Sequence, residues 1–401
     1  MRPACLFFCL FFLSATCQNQ PAPTTNLPAA VVVGAAQFEV YLPQLTGRRV
    51  ALVVNHSSLV GQAHLADTLL KQGVQITKIF APEHGFRGTA DAGKTVENGL
   101  DTRTGLPVFS LYGKKKKPSP TDLADVDVVV FFIKDVGARF YTYISTLFHV
   151  LEACAENHKP CLVLDRPNPN GHFVDGPVLE PGLESFVGIA PLPVVHGCTV
   201  GELARMFVGE GWLNPKIDSA QSVDLQIVPC QNYTHQTAYE LPVRPSPNLP
   251  NLRAVYLYPS LCLFEGTVVS LGRGTDAPFQ IIGYPDHPDD KFQFTPAPNE
   301  GNQLPLYQGK ICRGEDLRGI PLDSLRQLRR LDLSYLLRFY EKSPDQRGFF
   351  LSNHFFDKLA GTATLQAQIM TGKTEAEIRQ TWQPGLEKYK AMRQQYLLYP
   401  D

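Results

Sequence analysis

The sequence has almost no excess of either charge: 37 Lys and Arg stand against 38 Asp and Glu, a formal net charge of -1. That balance offers no basic footprint for nucleic acid and no broad field to steer a charged partner. No internal repeat is evident, and no C-x-x-C pair occurs, so neither a repeat architecture nor the usual thiol metal motif is expected. The glycine fingerprint of dinucleotide readers is missing too: after the first strand-like run stands "NHSSLVGQA". There is no P-loop, no H-E-x-x-H and no G-x-S-x-G. No cofactor and no metal are therefore expected. "SLGRGT", residues 270–275, is rich in glycine, but a lone glycine loop is weak evidence for phosphate.

The one apolar stretch near the N-terminus, Leu6 to Leu13, is too short to span a bilayer as a mature helix. It follows Arg2 and precedes Ser14, Ala15, Thr16 and Cys17, the layout of a secretory signal over residues 1–17. The protein is expected to be exported, to the periplasm or cell envelope. Ser-Ala-Thr-Cys also resembles a bacterial lipoprotein cleavage box, with Cys17 as the lipidated residue and Thr16 as its departure; an ordinary signal cut near Cys17 is the other reading. Residues 18–36, rich in Gln, Asn, Pro and Thr at their start, read as a linker. Of nine cysteines, Cys5 and Cys9 fall in the signal. The six beyond Cys17 are widely spaced, and Cys161 and Cys262 lie in apolar runs, so buried free thiols are expected rather than a disulfide framework.

From Arg49 onward strand and helix patterns alternate. "RVALVVN", "VQITKIFAPEHG", "PVFSLYG", "VDVVVFFIKDVG" and "KPCLVLDRPNP" read as strands; "HLADTLLKQG" and "TYISTLFHVLEACAENH" read as helices. Continuous apolar strands that alternate with helices imply an α/β fold, a parallel sheet with helices on both faces. "TVGELARMFVGEGW" carries a capping box, Thr199 with Glu202 three residues on. Past "VDLQIVPC" the chain becomes rich in Pro, Gly and Asn with short strands, and helices return at "LDLSYLLRFYEKS" and after Thr374. The expected boundary falls near residue 225, between an α/β domain over 37–225 and a smaller α+β domain over 226–401.

In open parallel sheets, ligands bind outside the carboxyl ends of the strands. Here those ends are polar: Asn55 and His56; Glu83 and His84, with Arg87 close behind; Lys134 and Asp135, then Arg139, Tyr141 and Tyr143; Asp165, Arg166 and Asn168. Any one of them serves as well for a cap or a turn. Together along one sheet edge they mark a site, and "FAPEHGFRG" carries more chemistry than a turn requires. Carboxylates, arginines, tyrosines and asparagines suit sugar recognition and glycosidic cleavage, in which carboxyl groups protonate the leaving oxygen and stabilise or attack an oxocarbenium-like centre.

"APEHGFRG", "DVGARFYTYISTL", "LDRPNPNG", "YPSLCLFEGTVVSLGRGTDAPFQIIGYP" and "LSNHFFDKLAGT" resemble the exo-β-N-acetylmuramidases of the NamZ type, in order and from about residue 37 to the terminal "YLLYP". The resemblance implies a Rossmann-like domain with a smaller C-terminal domain and a site in the cleft between them. It also implies release of terminal N-acetylmuramic acid from the non-reducing end of peptidoglycan fragments, with Glu83 as the catalytic acid. Glu265, read as ending a short strand, and Asp135 are the further carboxylate candidates. Arg273, Arg139 and Arg87 are candidates for the lactyl carboxylate, and Gly274 and Thr275 complete the loop around Arg273. One departure stands out: relatives often carry an acid where this chain has Leu271. The expected partners are peptidoglycan-derived disaccharides or muropeptides, without nucleic acid, and a membrane only through a lipid anchor. A non-catalytic binding protein for such fragments is the alternative, and a nucleotide-using transferase a third reading that the missing fingerprint disfavours.

Overall fold

The computed structural model describes residues 29–87, 98–213 and 223–401. The signal, Cys17 and most of the linker lie outside the described residues. Val31–Asp401 form one compact unit.

Seven strands build the main sheet: β1 (Arg49–Val54), β2 (Gln75–Ala81), β3 (Gly99–Leu100), β4 (Pro107–Ser110), β5 (Val128–Phe132), β6 (Cys161–Leu164) and β7 (Leu225–Val228). Their spatial order is β7-β6-β5-β1-β2-β4-β3. All neighbours run parallel except the edge strand β3, which is antiparallel to β4. The chain moves outward from β1 through β2 to β4 and then returns to the other side at β5, so the topological switch lies between β1 and β5.

The continuous apolar strands are buried on both faces, as their composition demands. Ala51, Val53, Val129 and Phe131 enter one core, and Val50, Leu52, Val54, Val130 and Phe132 enter the other. Helix α1 (Leu65–Lys71) covers the second core through Leu65 and Leu69, and Gly73 ends its turn at φ +79°. Helices α2 (Tyr143–Glu156) and α3 (Val200–Gly209) cover the first, through residues such as Leu147, Leu151, Leu203 and Phe207. The capping box of α3 is formed: Thr199 N donates to Glu202 Oε2 at 2.8 Å, and Glu202 N to Thr199 Oγ1 at 3.3 Å.

The first core continues into the C-terminal half through Val255, Phe264, Phe339 and Trp382. That half carries α4 (Leu252–Leu261), a small antiparallel sheet of β8 (Ile281–Tyr284), β9 (Gln293–Phe294) and β10 (Cys312–Asp316), and the long α5 (Glu375–Arg393). Here the sequence expectation needs correction. Glu265 does not end a strand; α4 runs into a 3-10 turn, Cys262–Gly266, that carries it. Asn251 caps α4 by accepting from Ala254 N at 3.0 Å. Pro259 inside the helix cannot bond the Val255 carbonyl, and the buried Asn170 takes that carbonyl instead at 3.1 Å. All six cysteines among the described residues are buried and free.

Candidate active site

A cleft of about 360 Å³ opens over the carboxyl ends of β2, β4 and β5 and is walled on its far side by the C-terminal half. Glu83 follows β2, Tyr112 follows β4 and Thr142 follows β5; Glu265 and Arg273 face them across the cleft. The turn after β2 explains how Glu83 is presented. Gly85 N donates to the Pro82 carbonyl at 3.0 Å, while His84 and Gly85 both adopt the left-handed region, at φ 67° and 75°. For a non-glycine residue that conformation is uncommon, and it gathers at functional sites. His84 is buried and lines the cleft beside Glu83. Thr142 Oγ1 donates to Glu83 Oε2 at 2.7 Å, and the Tyr112 hydroxyl shares a second hydrogen bond with the same carboxyl group. Burial first, then the charge of Glu83, pushes the Tyr112 phenol well above its ordinary value.

On the opposite wall Arg273 Nη2 lies 2.6 Å from Glu265 Oε1, and its guanidinium stacks 5.0 Å from the Phe279 ring. The "SLGRGT" loop makes this arrangement possible. Gly272 and Gly274 hold φ +72° and +79°, and a Cβ on them would meet Ile281 at 2.5 Å and Pro305 at 2.6 Å. Thr275 N and Oγ1 both donate to the Gly272 carbonyl, at 3.1 and 2.6 Å. The tight turn leaves Arg273 directed into the cleft. Leu271 is buried and lines an adjoining cavity.

Of the other expected site residues, only Tyr141 lines the cleft. Arg139 is fully buried and bound to three carbonyls: Pro177 and Leu192 from Nη1 at 2.8 and 2.7 Å, and Leu359 from Nη2 at 2.8 Å. It ties the wall after β5 to the C-terminal half. Arg87 pairs with Asp101 at 2.8 Å and stacks on Phe86, away from the cleft lining. Asp135 is buried, accepting from Gly137 N at 2.7 Å with His196 Nε2 at 3.2 Å. Asn55 accepts from Ser57 N and Oγ at 3.0 and 2.7 Å, building the turn after β1. Arg166 donates to the Ser57 carbonyl at 2.6 Å, and Asn168 accepts from Asn170 N at 2.8 Å. Asp165 binds the N-terminus of α3 through Gly201 N at 2.8 Å and Thr199 Oγ1 at 2.7 Å, and also accepts from Tyr399 at 2.6 Å. Tyr141 does line the cleft, and its hydroxyl donates to the Pro245 carbonyl at 3.0 Å; Tyr143 is buried edge-on beneath it at 4.7 Å.

Tyr112 and Thr142 were not singled out by the sequence. The signal was available, since Tyr112 ends the strand "PVFSLYG" and Thr142 stands between the two tyrosines that were named. Strand-end position marks them as it marks Glu83; only charge made Glu83 conspicuous. Among the described residues no group of three or more His, Cys, Asp or Glu is arranged to hold a metal ion, and no helix is long and apolar enough to cross a membrane.

Known proteins share this architecture. The chain matches the model of the N-terminal part of the exo-beta-N-acetylmuramidase NamZ over residues 50–253, and that of its C-terminal part over residues 256–399. It is 37% identical over 383 residues to the peptidoglycan beta-N-acetylmuramidase NamZ of Bacillus subtilis (strain 168), covering 90% of this chain and 89% of that protein. Two crystal structures of DUF1343 family proteins from Bacteroides fragilis NCTC 9343 superpose on it. One is 43% identical with a TM-score of 0.85, covering 93% of this chain and 100% of that one. The other is 27% identical with a TM-score of 0.77, covering 92% and 99%. The chain belongs to the exo-β-N-acetylmuramidase NamZ family of glycoside hydrolases.

Proposed function

We propose that this protein releases terminal N-acetylmuramic acid from the non-reducing end of peptidoglycan fragments, with Glu83 as general acid and Glu265 as the second carboxylate. The observation that carries the reading is the different company of two carboxyl groups lining one cleft. Two hydroxyls, those of Thr142 and Tyr112, hydrogen-bond the Glu83 carboxyl group. A hydroxyl donates to a carboxylate and accepts from a carboxylic acid. Glu83 therefore keeps partners whether it holds its proton or has given it up, as a group that changes protonation in every turnover requires. Glu265 instead faces the guanidinium of Arg273 at 2.6 Å, which suits a carboxylate that opposes an oxocarbenium-like centre. Tyr258 and Phe279 supply apolar surface in the same cleft for the faces of the sugar ring.

The experiment is release of free N-acetylmuramic acid from the disaccharide N-acetylmuramyl-N-acetylglucosamine. Glu83→Gln should lower kcat by roughly 10²–10⁴-fold, the scale of general acid catalysis. The loss should be smaller on the p-nitrophenyl β-glycoside, whose leaving group hardly needs a proton. Near-wild-type cleavage of the disaccharide by folded Glu83→Gln would remove Glu83 from the role. Disaccharide binding without any cleavage by the wild type would favour a binding protein instead. We further infer export and lipid attachment at Cys17, supported by the sequence layout of residues 1–17; equal labelling of wild type and Cys17→Ser by a palmitate analogue would overturn the attachment.

A further inference from the structure

A run of four lysines, Lys114–Lys117, begins two residues after Tyr112. A run of like charge is most often a solvated loop. This one is anchored at alternate positions. Lys115 pairs with Asp122, and Lys117 Nζ lies 2.8 Å from Glu156 Oε1 and 3.9 Å from Glu152 Oε2. Lys114 and Lys116 are exposed, and neither pairs with a carboxylate among the described residues.

Lys116 is nevertheless held in place. Its ammonium lies 4.7 Å from the centroid of the Phe186 ring, and that ring lies 5.8 Å from the ring of Tyr112. Phe186 is fixed in turn, its carbonyl accepting from Ser145 Oγ at 2.8 Å. Tyr112 and Val187, the residue after Phe186, both line the cleft. Two ring contacts therefore connect an unpaired cation to the phenol that bonds Glu83.

The side of the cleft on which this happens matters. A general acid must lie within hydrogen-bond reach of the oxygen it protonates. If Glu83 is that acid, Glu83 and Tyr112 stand beside the leaving oxygen, and the rest of the glycan continues from that oxygen. The first sugar to leave is N-acetylglucosamine, which has no charge. In a longer strand the next sugar is again N-acetylmuramic acid. Its lactyl carboxylate is the first negative charge on the leaving side. A lysine ammonium is a point charge on a flexible stem, without the fixed fork of an arginine. It suits an anion that arrives and departs with each cut.

Resting on the muramidase reading, we infer that Lys114 and Lys116 bind the lactyl carboxylate of the second N-acetylmuramic acid of a glycan strand. The protein then acts faster on strands than on the isolated disaccharide.

The test compares initial release of N-acetylmuramic acid from the disaccharide N-acetylmuramyl-N-acetylglucosamine and from the tetrasaccharide that repeats it, at rising sodium chloride. An exposed ion pair changes an equilibrium by up to about fivefold. At low salt the tetrasaccharide should therefore have a kcat/KM several-fold to about tenfold higher, carried by KM. Salt screens exposed charges, so the advantage should shrink as sodium chloride is added. The double variant Lys114→Gln, Lys116→Gln should lose the advantage, with the larger effect on the tetrasaccharide. A tetrasaccharide whose second lactyl group is a carboxamide should behave like the disaccharide with the wild type. Equal kcat/KM for both substrates overturns the assignment, as does an advantage that persists in the double variant or in the carboxamide. A variant that slows both substrates by the same factor gives the loop a structural role and overturns it too. If the disaccharide is cleaved and only the strand advantage is missing, the lysine assignment alone falls. If neither substrate is cleaved, the muramidase reading falls with it.

Discussion

Arg139→Lys separates a structural arginine from a substrate arginine. Nη1 of Arg139 serves two carbonyls, Pro177 and Leu192, and Nη2 serves a third, Leu359. A lysine ammonium keeps the charge but has no rigid fork, so it can remain near the first pair and must release Leu359. A hydrogen bond to a charged group contributes about 1.5–3 kcal/mol, and the carbonyl left behind is buried. The expected loss of stability is therefore about 2 kcal/mol, read as a lower midpoint of guanidinium chloride unfolding at constant slope. The same tie positions two parts of the cleft wall: Phe140 to Thr142 directly follow Arg139, and Leu359 lines the cleft itself. Folded Arg139→Lys should retain its affinity for muramic acid to within a few-fold while losing more in kcat. Gly361→Ala should act on the same tie from the other side, because a Cβ there would sit 2.3 Å from Arg139 Nη2 at φ +75°. An unchanged midpoint together with a large rise in KM for Arg139→Lys would refute the reasoning and return Arg139 to the substrate.

Tyr112→Phe leaves Glu83 held by Thr142 without the phenol; losing one hydrogen bond to a charged group should lower kcat about tenfold or more on the disaccharide, with less effect on the nitrophenyl glycoside, and equal losses on both would assign Tyr112 a merely structural role. Asp165 gives a stability profile: burial raises its carboxyl from the ordinary 3.8 to about 6. Because the folded value is the higher one, the proton favours the folded state, so its contribution is fully present below about pH 4 and is lost as pH rises through about 6, a change of ~3 kcal/mol. Asp165→Asn should remove that slope between pH 4 and 6 in denaturant midpoints, and a slope unchanged by the substitution would overturn it.

The strands were legible because each is an unbroken apolar run, and a strand buried on both faces can hardly be written otherwise. Helix α3 was legible through Thr199 and Glu202, whose reciprocal bonds need only local sequence. The stretch around Glu265 was not legible. "YPSLCLFEG" is a short apolar run holding a proline, and such a run has no period that separates strand from helix. What decides it is distant: Asn170, more than eighty residues earlier, supplies the bond that Pro259 forfeits. Among the residues that line the candidate cleft, Glu83 and His84 were legible, because a strand ends there in more chemistry than a turn needs. Arg139 and Arg166 were read with them although each bonds backbone carbonyl oxygen, because a guanidinium bound for a carbonyl and one bound for a ligand look the same in sequence.

The polar strand ends divide by what lies over them. At β1, β5 and β6, beside the topological switch, the connecting segment covers them: the Tyr239 ring lies 4.4 Å from Lys134 Nζ, and the Tyr233 hydroxyl accepts from Asn168 N at 3.2 Å. Lys134 is fully buried there, and burial, with Arg166 nearby, holds its amine well below the ordinary lysine range. The crevice in which open α/β sheets usually bind ligands is thus covered at Lys134 and Asn168 by the chain itself, while the cleft lies where Glu83 follows β2, Tyr112 follows β4 and the longer segment after β5 brings in Thr142. The displacement has a chemical consequence. Thr142, which holds Glu83, belongs to a segment fixed at Arg139 by Leu359 and at Tyr141 by Pro245, both from the C-terminal half. Glu265 and Arg273 come from that half as well. Any drift of one half against the other would move the partner of Glu83 together with the opposing carboxylate. On the proposed reading, the bonds of Arg139 and Tyr141 serve the reaction by keeping two carboxyl groups from distant parts of the chain in one fixed relation.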